Sequence, residues 1–126
     1  MKLLLDTHAF LWAIAGDSKL SPEAANLFEQ AELLLSAASI WEIVTKFQIG
    51  RLELPASPSD FLLQHLERNA IALLPILPRH VFRLGNSPVA PQDPLDRILA
   101  AQGLEESLPI LTADSKFIPY GVETRW

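Results

Sequence analysis

Lys2-Leu3-Leu4-Leu5-Asp6-Thr7-His8 sets an apolar run directly against a carboxylate. Lys2 to Leu5 reads as a short buried strand, and Ala9 to Ala15 carries apolar residues on a helical rather than an alternating pattern, so Asp6 stands at a strand-to-helix junction. Three other acids occupy comparable places: Glu42, Asp96 and Asp114 each fall where a predicted apolar strand ends or a predicted helix begins. In a parallel sheet the strand C-termini and the helix N-termini that follow them share one edge, so residues remote in sequence can converge there. The expectation is a carboxylate cluster that binds metal.

Outward from that stretch, the chain alternates strands with helices. Ser21-Pro22 starts a helix reaching about Ala31, with serine as cap and proline in the first helical position. Leu33 to Leu35 is a second strand, after which Ser39-Ile40-Trp41-Glu42 has the form of a capping box opening a helix that Gly50 ends. Ile40, Ile43, Val44 and Phe47 form its buried stripe, leaving Glu42 and Lys46 as an i, i+4 pair. Ser59-Asp60 begins a helix carrying Phe61, Leu62 and Leu66, and Ala70 to Leu74 makes a third strand, closed by Pro75 and Pro78. Arg79 to Leu84 is a brief helical piece before the turn at Gly85-Asn86-Ser87-Pro88. Asp93-Pro94-Leu95-Asp96 opens the next helix, with Asp93 as N-cap and Leu95, Ile98 and Leu99 on its core face. Pro109 to Leu111 makes a fourth strand ending near Asp114, and Val122 to Trp126 a short fifth at the edge. Strands alternating with helices imply crossover connections and helices on both faces of the sheet. The expected fold is an α/β three-layer sandwich, a central, mostly parallel sheet of four or five strands flanked by helices, in one domain spanning residues 1–126.

Composition narrows the chemistry. The chain has no cysteine, so disulfides and thiolate sites are excluded, and a metal must be held by oxygen or by His8, His65 or His80. Fifteen acidic residues against ten basic ones leave a formal charge of −5, which argues against binding nucleic acid by broad phosphate neutralisation alone. MKLLLDTHAFLWAIAG imitates a secretory leader, but Asp6 and His8 interrupt its apolar core, and no other run approaches the roughly 18 residues of a membrane span. A cytoplasmic protein with no membrane partner is expected.

Charge arithmetic specifies what the four acids need. Two carboxylates about 4 Å apart repel by roughly 4 kcal/mol at an effective dielectric near 20, so a cluster must raise its own pKa values or splay apart. A divalent cation removes the conflict. Mg²⁺ or Mn²⁺ takes oxygen ligands, binds phosphate, and can activate water and steady a leaving oxygen in phosphodiester hydrolysis.

LLLDTH (3–8), SAASIWEI (36–43), DPLDRILAAQ (93–102) and LTADSKF (111–117) together resemble a PIN domain of the VapC type, over nearly the whole chain. The resemblance implies a Mg²⁺- or Mn²⁺-dependent endoribonuclease, the toxin of a toxin–antitoxin pair, cutting structured RNA such as tRNA or rRNA. It further implies an antitoxin partner and a homodimer. The family's acids match Asp6, Glu42 and Asp96, with Asp114 as the more variable fourth. Many relatives carry histidine shortly before the DP-x-D segment, where this chain has Ala90-Pro91-Gln92, so an ancillary role for that histidine does not carry over.

Each singled-out residue also has a plainer reading. Glu42 can complete the capping box of Ser39, Asp96 can complement a helix dipole, and Asp114 can cap the turn before Ser115-Lys116. Asp93 is read as an N-cap with at most a supporting place near the site. Arg97, Lys46 and Lys116 stand close in sequence to proposed acids and could meet RNA phosphate, although an ordinary solvated charge is the commoner outcome. His8 can orient Asp6, with packing or solvent contact the plainer alternative; His65 and His80 have no ligand partner at useful spacing. Asp6 is the acid hardest to explain away, since a carboxylate after a buried strand loses hydration without a partner.

Other chemistries find less support. An aspartyl-phosphate phosphatase would need a second aspartate where His8 stands, and neither a G-x-S-x-G elbow nor a phosphate-binding glycine loop is present. The competing reading is a catalytically vestigial PIN-like module that engages a protein partner. Trp12, Phe28 and Trp41 are large apolar residues for a small domain, with core packing expected for Trp41 and left open for Trp12.

Overall fold

The computed structural model describes residues 1–86 and 93–126. Its elements are β1 (Lys2–Leu5), α1 (Thr7–Ala15), α2 (Pro22–Gln30), β2 (Glu32–Ser36), α3 (Ala37–Gln48), α4 (Pro58–Arg68), β3 (Ala72–Leu74), α5 (Pro78–Arg83), α6 (Pro94–Glu105), β4 (Ile110–Leu111) and β5 (Thr124–Arg125). Short 3₁₀ helices cover Leu84–Asn86 and Ser115–Tyr120. Ser87-Pro88 and Ala90-Pro91-Gln92 lie outside the described residues.

Five strands form one sheet in the order β3-β2-β1-β4-β5, every neighbouring pair parallel. The alternation of side chains along β1 explains why helices must cover both faces. Leu3 and Leu5 pack with Phe10, Ala24, Ile43, Phe61 and Leu62, while Leu4 packs with Leu74, Leu99, Ile110, Phe117 and Tyr120. Leu3, Leu4 and Leu5 are all fully buried, which is why this strand reads as continuously apolar rather than alternating. The chain runs outward from β1 through β2 to β3, then returns to place β4 on the other side of β1. The order therefore reverses between β1 and β4, and the C-terminal ends of those two strands flank a crevice of the kind in which open α/β sheets place their ligands.

The caps follow the chemistry of the sequence, with two corrections, of which the first is that α4 starts at Ser57-Pro58 and not at Ser59-Asp60. Ser21, Ser57 and Asp93 cap α2, α4 and α6 as side-chain acceptors, each followed by proline at the first helical position. For α3 the cap is Ser36, whose Oγ accepts from the Ala38 amide at 3.0 Å, and not Ser39. Strand β2 runs through Ser36 and the chain turns helical at once, so Ser39 falls inside the helix, where its Oγ accepts a buried 2.8 Å hydrogen bond from the Thr7 hydroxyl. Glu42 thus stands in the second turn of α3 and completes no capping box.

Trp41 also departs from expectation: it is 62% exposed. The inward face of α3 is set by Ala38, Ser39 and Ile43, and Trp41 lies two residues from both Ser39 and Ile43, about 200° round the helix. Val44 and Phe47 are exposed beside it, so the buried stripe is narrower than expected.

Candidate metal centre and nucleic-acid site

Asp6 occupies the N-cap position of α1 without capping it; its carboxylate makes no bond to the helix amides. Instead its Oδ2 accepts from the Thr112 hydroxyl at 2.8 Å, across the β1/β4 crevice. Thr112 Oγ1 in turn accepts from the Asp114 amide at 3.0 Å, which leaves its proton directed at Asp6. Thr112 follows β4 as Asp6 follows β1, so the two strand ends are tied by a charge-assisted bond. Asp6 is only 7% exposed. Burial raises its pKa above the ordinary aspartate value; the Thr112 bond and His8 work the other way, and Glu42 and Asp114 raise it further.

Asp96 is the third residue of α6, near the helix's positive end. Its pKa is nevertheless pushed up to about 6, first by burial, then by Asp93, with Asp6 adding and Lys116 opposing. Its Oδ2 is buried and, among the described residues, has the Lys116 ammonium 3.5 Å away as its nearest partner, an attraction at the outer limit of hydrogen-bond length that lowers the pKa only in part. Asp114 caps the 3₁₀ helix at Ser115–Tyr120 through the Lys116 amide and holds Lys116 Nζ at 3.3 Å from Oδ2. Glu42 is paired at 2.7 Å with Lys46, one turn along α3.

Asp6 is thus in electrostatic range of Glu42, Asp114 and Asp96, all at the C-terminal end of the sheet. They do not close into a ligation sphere: among the described residues, no group of three acids or histidines stands near enough to hold an ion as placed. Lys116 and Lys46 occupy the positions where a cation's charge is wanted. The donor set nonetheless fits a hard divalent ion, being carboxylate oxygen throughout, with one buried oxygen lacking a hydrogen bond among the described residues and two acids, Asp6 and Asp96, whose pKa values are raised by burial and by neighbouring acids.

A pocket of about 330 Å³ opens over this crevice, lined by Asp6, His8, Trp12, Ala113, Asp114 and Ser115. Glu42, Lys46 and Asp93 line a neighbouring one of about 250 Å³. A larger concavity, about 540 Å³, is an apolar groove between α1, α4 and residues 52–55 that shares His8 and Trp12 with the acid pocket. It offers contact area rather than chemistry, so the acid pocket is the candidate centre. His8 is exposed at its rim and stacks on Trp12 with ring centroids 5.8 Å apart. Trp12 meets the edge of Trp126, and Phe28 packs against the core.

Arg97 lies against Tyr120, to which it hydrogen-bonds, and its Nε is buried without a partner. Asp93 caps α6, its Oδ1 accepting from the Leu95 and Asp96 amides. The sequence reading passed over Thr7 and Thr112 and cast Ser39 as a helix cap; these three are the buried hydroxyls that hold the acid-bearing elements together. Their positions directly after β1, just inside α3 and directly after β4 were the available signal. It also left His80 without a partner. His80 is fully buried, its Nδ1 accepts from the Leu77 amide at 2.9 Å, and its Nε2 meets Glu106 at 2.7 Å, far from the acids in role and serving to fasten α5 to α6.

Residues 3–122 match the PIN domain family. The chain is 28% identical over 116 residues to ribonuclease VapC22 of Mycobacterium tuberculosis, covering 90% of this chain and 88% of that one. Its fold is similar to a chain in the crystal structure of VapBC2 from Rickettsia felis bound to a DNA fragment from their promoter (TM-score 0.73, 15% identity, 99% and 98% of the two chains). It is similar likewise to a chain of DNA-bound VapBC from Salmonella typhimurium (TM-score 0.72, 16% identity, 99% and 97%). With the all-parallel sheet, the acids at its C-terminal edge and a family match over nearly its whole length, this chain belongs to the PIN domain family.

Proposed function

We propose that the protein is a divalent-metal-dependent endoribonuclease, the toxin of a toxin–antitoxin pair, hydrolysing phosphodiester bonds in RNA such as tRNA or rRNA. The observation that carries this reading is Asp96, a carboxylate with a buried oxygen lacking a hydrogen bond among the described residues and a pKa pushed up to about 6 among other acids, an arrangement that a divalent cation relieves. The similarity to ribonuclease VapC22, and to chains solved within VapBC complexes, supports the activity and an antitoxin partner. A homodimer accompanies this reading.

Asp6, Glu42, Asp96 and Asp114 would hold Mg²⁺ or Mn²⁺, which when bound supplies an activated water and steadies the leaving oxygen. The chain's own residues prepare the site. The Thr112 hydroxyl fixes the rotamer of Asp6 and helps keep it ionised despite burial. The Thr7–Ser39 bond ties α1 to α3, so that Asp6 and Glu42 hold their spacing. Asp93 sets the start of α6 and with it the place of Asp96. Lys46, Lys116, Arg97 and His8 are the groups beside the acids that can meet phosphate or a base, which an acidic protein needs in order to hold a polyanion.

A second reading is favoured by one observation: as placed, no three acids reach ligation distance among the described residues, and lysines already pair with Glu42, Asp96 and Asp114. On that reading the protein is a catalytically vestigial PIN-like module whose exposed Trp41 and apolar groove engage a protein. One experiment separates the two. Purified protein and its Asp6→Asn variant are incubated with RNA in Mg²⁺, Mn²⁺ or chelator. Metal-dependent cleavage lost in the variant is expected, whereas cleavage that persists in chelator or in the variant sinks the metal mechanism, and no cleavage with partner binding retained establishes the module.

A further inference from the structure

Lys116 engages both oxygens of Asp114 at once. Its backbone amide donates to Oδ1 at 2.9 Å, while its Nζ stands 3.3 Å from Oδ2. The same ammonium lies 3.5 Å from the Oδ2 of Asp96, the buried oxygen lacking a hydrogen bond among the described residues. The backbone of this lysine is not free to drift: it sits inside the 3₁₀ helix, and its neighbour Phe117 is fully buried in the core. Its side chain is different, half-exposed on a flexible four-carbon stem. One anchored residue therefore places a mobile unit charge between two acids that come from separate elements, α6 and the end of β4.

We propose that Lys116 is a resident counter-ion that holds Asp96 and Asp114 together when no cation is bound, and that a divalent cation must displace its ammonium to reach them. This rests on the reading of the acids as a metal centre. The ammonium cannot serve as a substitute for the ion: it is a hydrogen-bond donor with no Lewis acidity, and while it remains between the two carboxylates their facing oxygens are not available together. Displacement breaks no covalent bond, since the four-carbon stem swings out by rotation, and it leaves a positive charge next to Asp114 and Ser115, which line the pocket that a phosphate backbone would enter. Lys116 is on this account a positioning residue, competing with metal and later facing substrate.

The consequence is that removing the charge tightens metal binding. Two half-exposed ion pairs, each equivalent to a factor of up to about five, set the expected gain at about tenfold. The experiment measures Mn²⁺ binding to the whole protein by the loss of the free-ion paramagnetic resonance signal, with no RNA present. Lys116→Met is compared with wild type, with Lys116→Arg, which keeps the charge, and with Lys2→Met, which removes one charge at the opposite end of β1. Lys116→Gln replaces the methionine variant if that one fails to fold. An apparent Kd for Mn²⁺ about tenfold lower in the charge-removing variant, near wild type in Lys116→Arg and Lys2→Met, supports the proposal. Equal or weaker binding in the charge-removing variant, with wild type binding normally, overturns it and leaves the metal centre standing. Absence of Mn²⁺ binding in wild type and variant alike overturns the centre and this inference together.

Discussion

Replacing Asp96 with asparagine should stabilise the metal-free protein, in a way that depends on pH. The pKa of Asp96 is pushed from 3.8 up to about 6. A group whose pKa is higher folded than unfolded favours the folded state fully below the unfolded value and loses that contribution as pH rises through the folded value. Wild type therefore weakens between about pH 4 and pH 7, by roughly 1.4 kcal/mol for every tenfold difference in proton affinity between the folded and unfolded chain, or about 3 kcal/mol in all. Asparagine carries no charge to desolvate and keeps the shape, but its amide needs a partner in a crevice built for an anion, which offsets about 1 kcal/mol. A net gain of about 2 kcal/mol at pH 7.5 follows. With an unfolding entropy of roughly 0.26 kcal/mol/K for 126 residues, that is a rise of about 8 °C in Tm. Melts of both proteins in chelator at pH 4.5, 6.0 and 7.5 test it, the difference expected to be small at the lowest pH and full at the highest. A variant that melts below wild type at pH 7.5, or by a margin constant across pH, refutes the account of Asp96 as a carboxylate held ionised at a cost.

Mn²⁺ should raise the Tm of wild type near neutral pH beyond the effect of monovalent salt at matched ionic strength, by mass action on the folded state. That increment should shrink as protons compete for the carboxylates and vanish in Asp6→Asn; a response to ionic strength alone speaks against the centre. Thr112→Val keeps the shape but removes the buried donor to Asp6, so denaturant unfolding at pH 7.5 should show a loss of about 1.5–3 kcal/mol, and a loss below about 0.5 kcal/mol, the size of an ordinary surface change, would show the bond to be incidental. Gly103→Ala in α6 would set a Cβ 2.8 Å from Val122 Cγ2 and 3.0 Å from the Leu108 carbonyl oxygen. The backbone oxygen cannot turn aside, so a loss of about 1–3 kcal/mol is expected from chemical denaturation, with an unchanged Mn²⁺ increment in the folded fraction.

The local chemistry of the sequence was sufficient for most of the architecture. Leu3, Leu4 and Leu5 are apolar without alternation because both faces of β1 are covered, and that pattern, repeated between helices, already required a parallel sheet with crossovers. Proline after serine or aspartate marked the starts of α2 and α6 because the cap and the fixed φ act within one turn, and the same signal at Ser57-Pro58 opens α4, two residues before the Ser59-Asp60 start read from the sequence. Asp6, Asp96 and Asp114 were likewise visible as residues at element junctions, since parallel topology alone sends those junctions to one edge, whereas Glu42 lies one turn inside α3.

Distances across that edge were decided only by the tertiary structure. Nothing local distinguishes Ser36 from Ser39 as the cap of α3; the extent of β2 decides, and with it whether Glu42 completes a capping box or stands in the second turn paired with Lys46. Trp41 carries the same apolar character as its neighbours, and only the direction in which α3 lies on the sheet sends it outward. The pairing of Thr112 with Asp6 joins residues 106 positions apart, and Lys116 lies between two acids because a 3₁₀ helix after β4 is anchored by Phe117 beside the start of α6. Propensity and capping are set by neighbours along the chain, whereas the field at a carboxylate is set by neighbours through space, and those are brought together by the packing of separate elements.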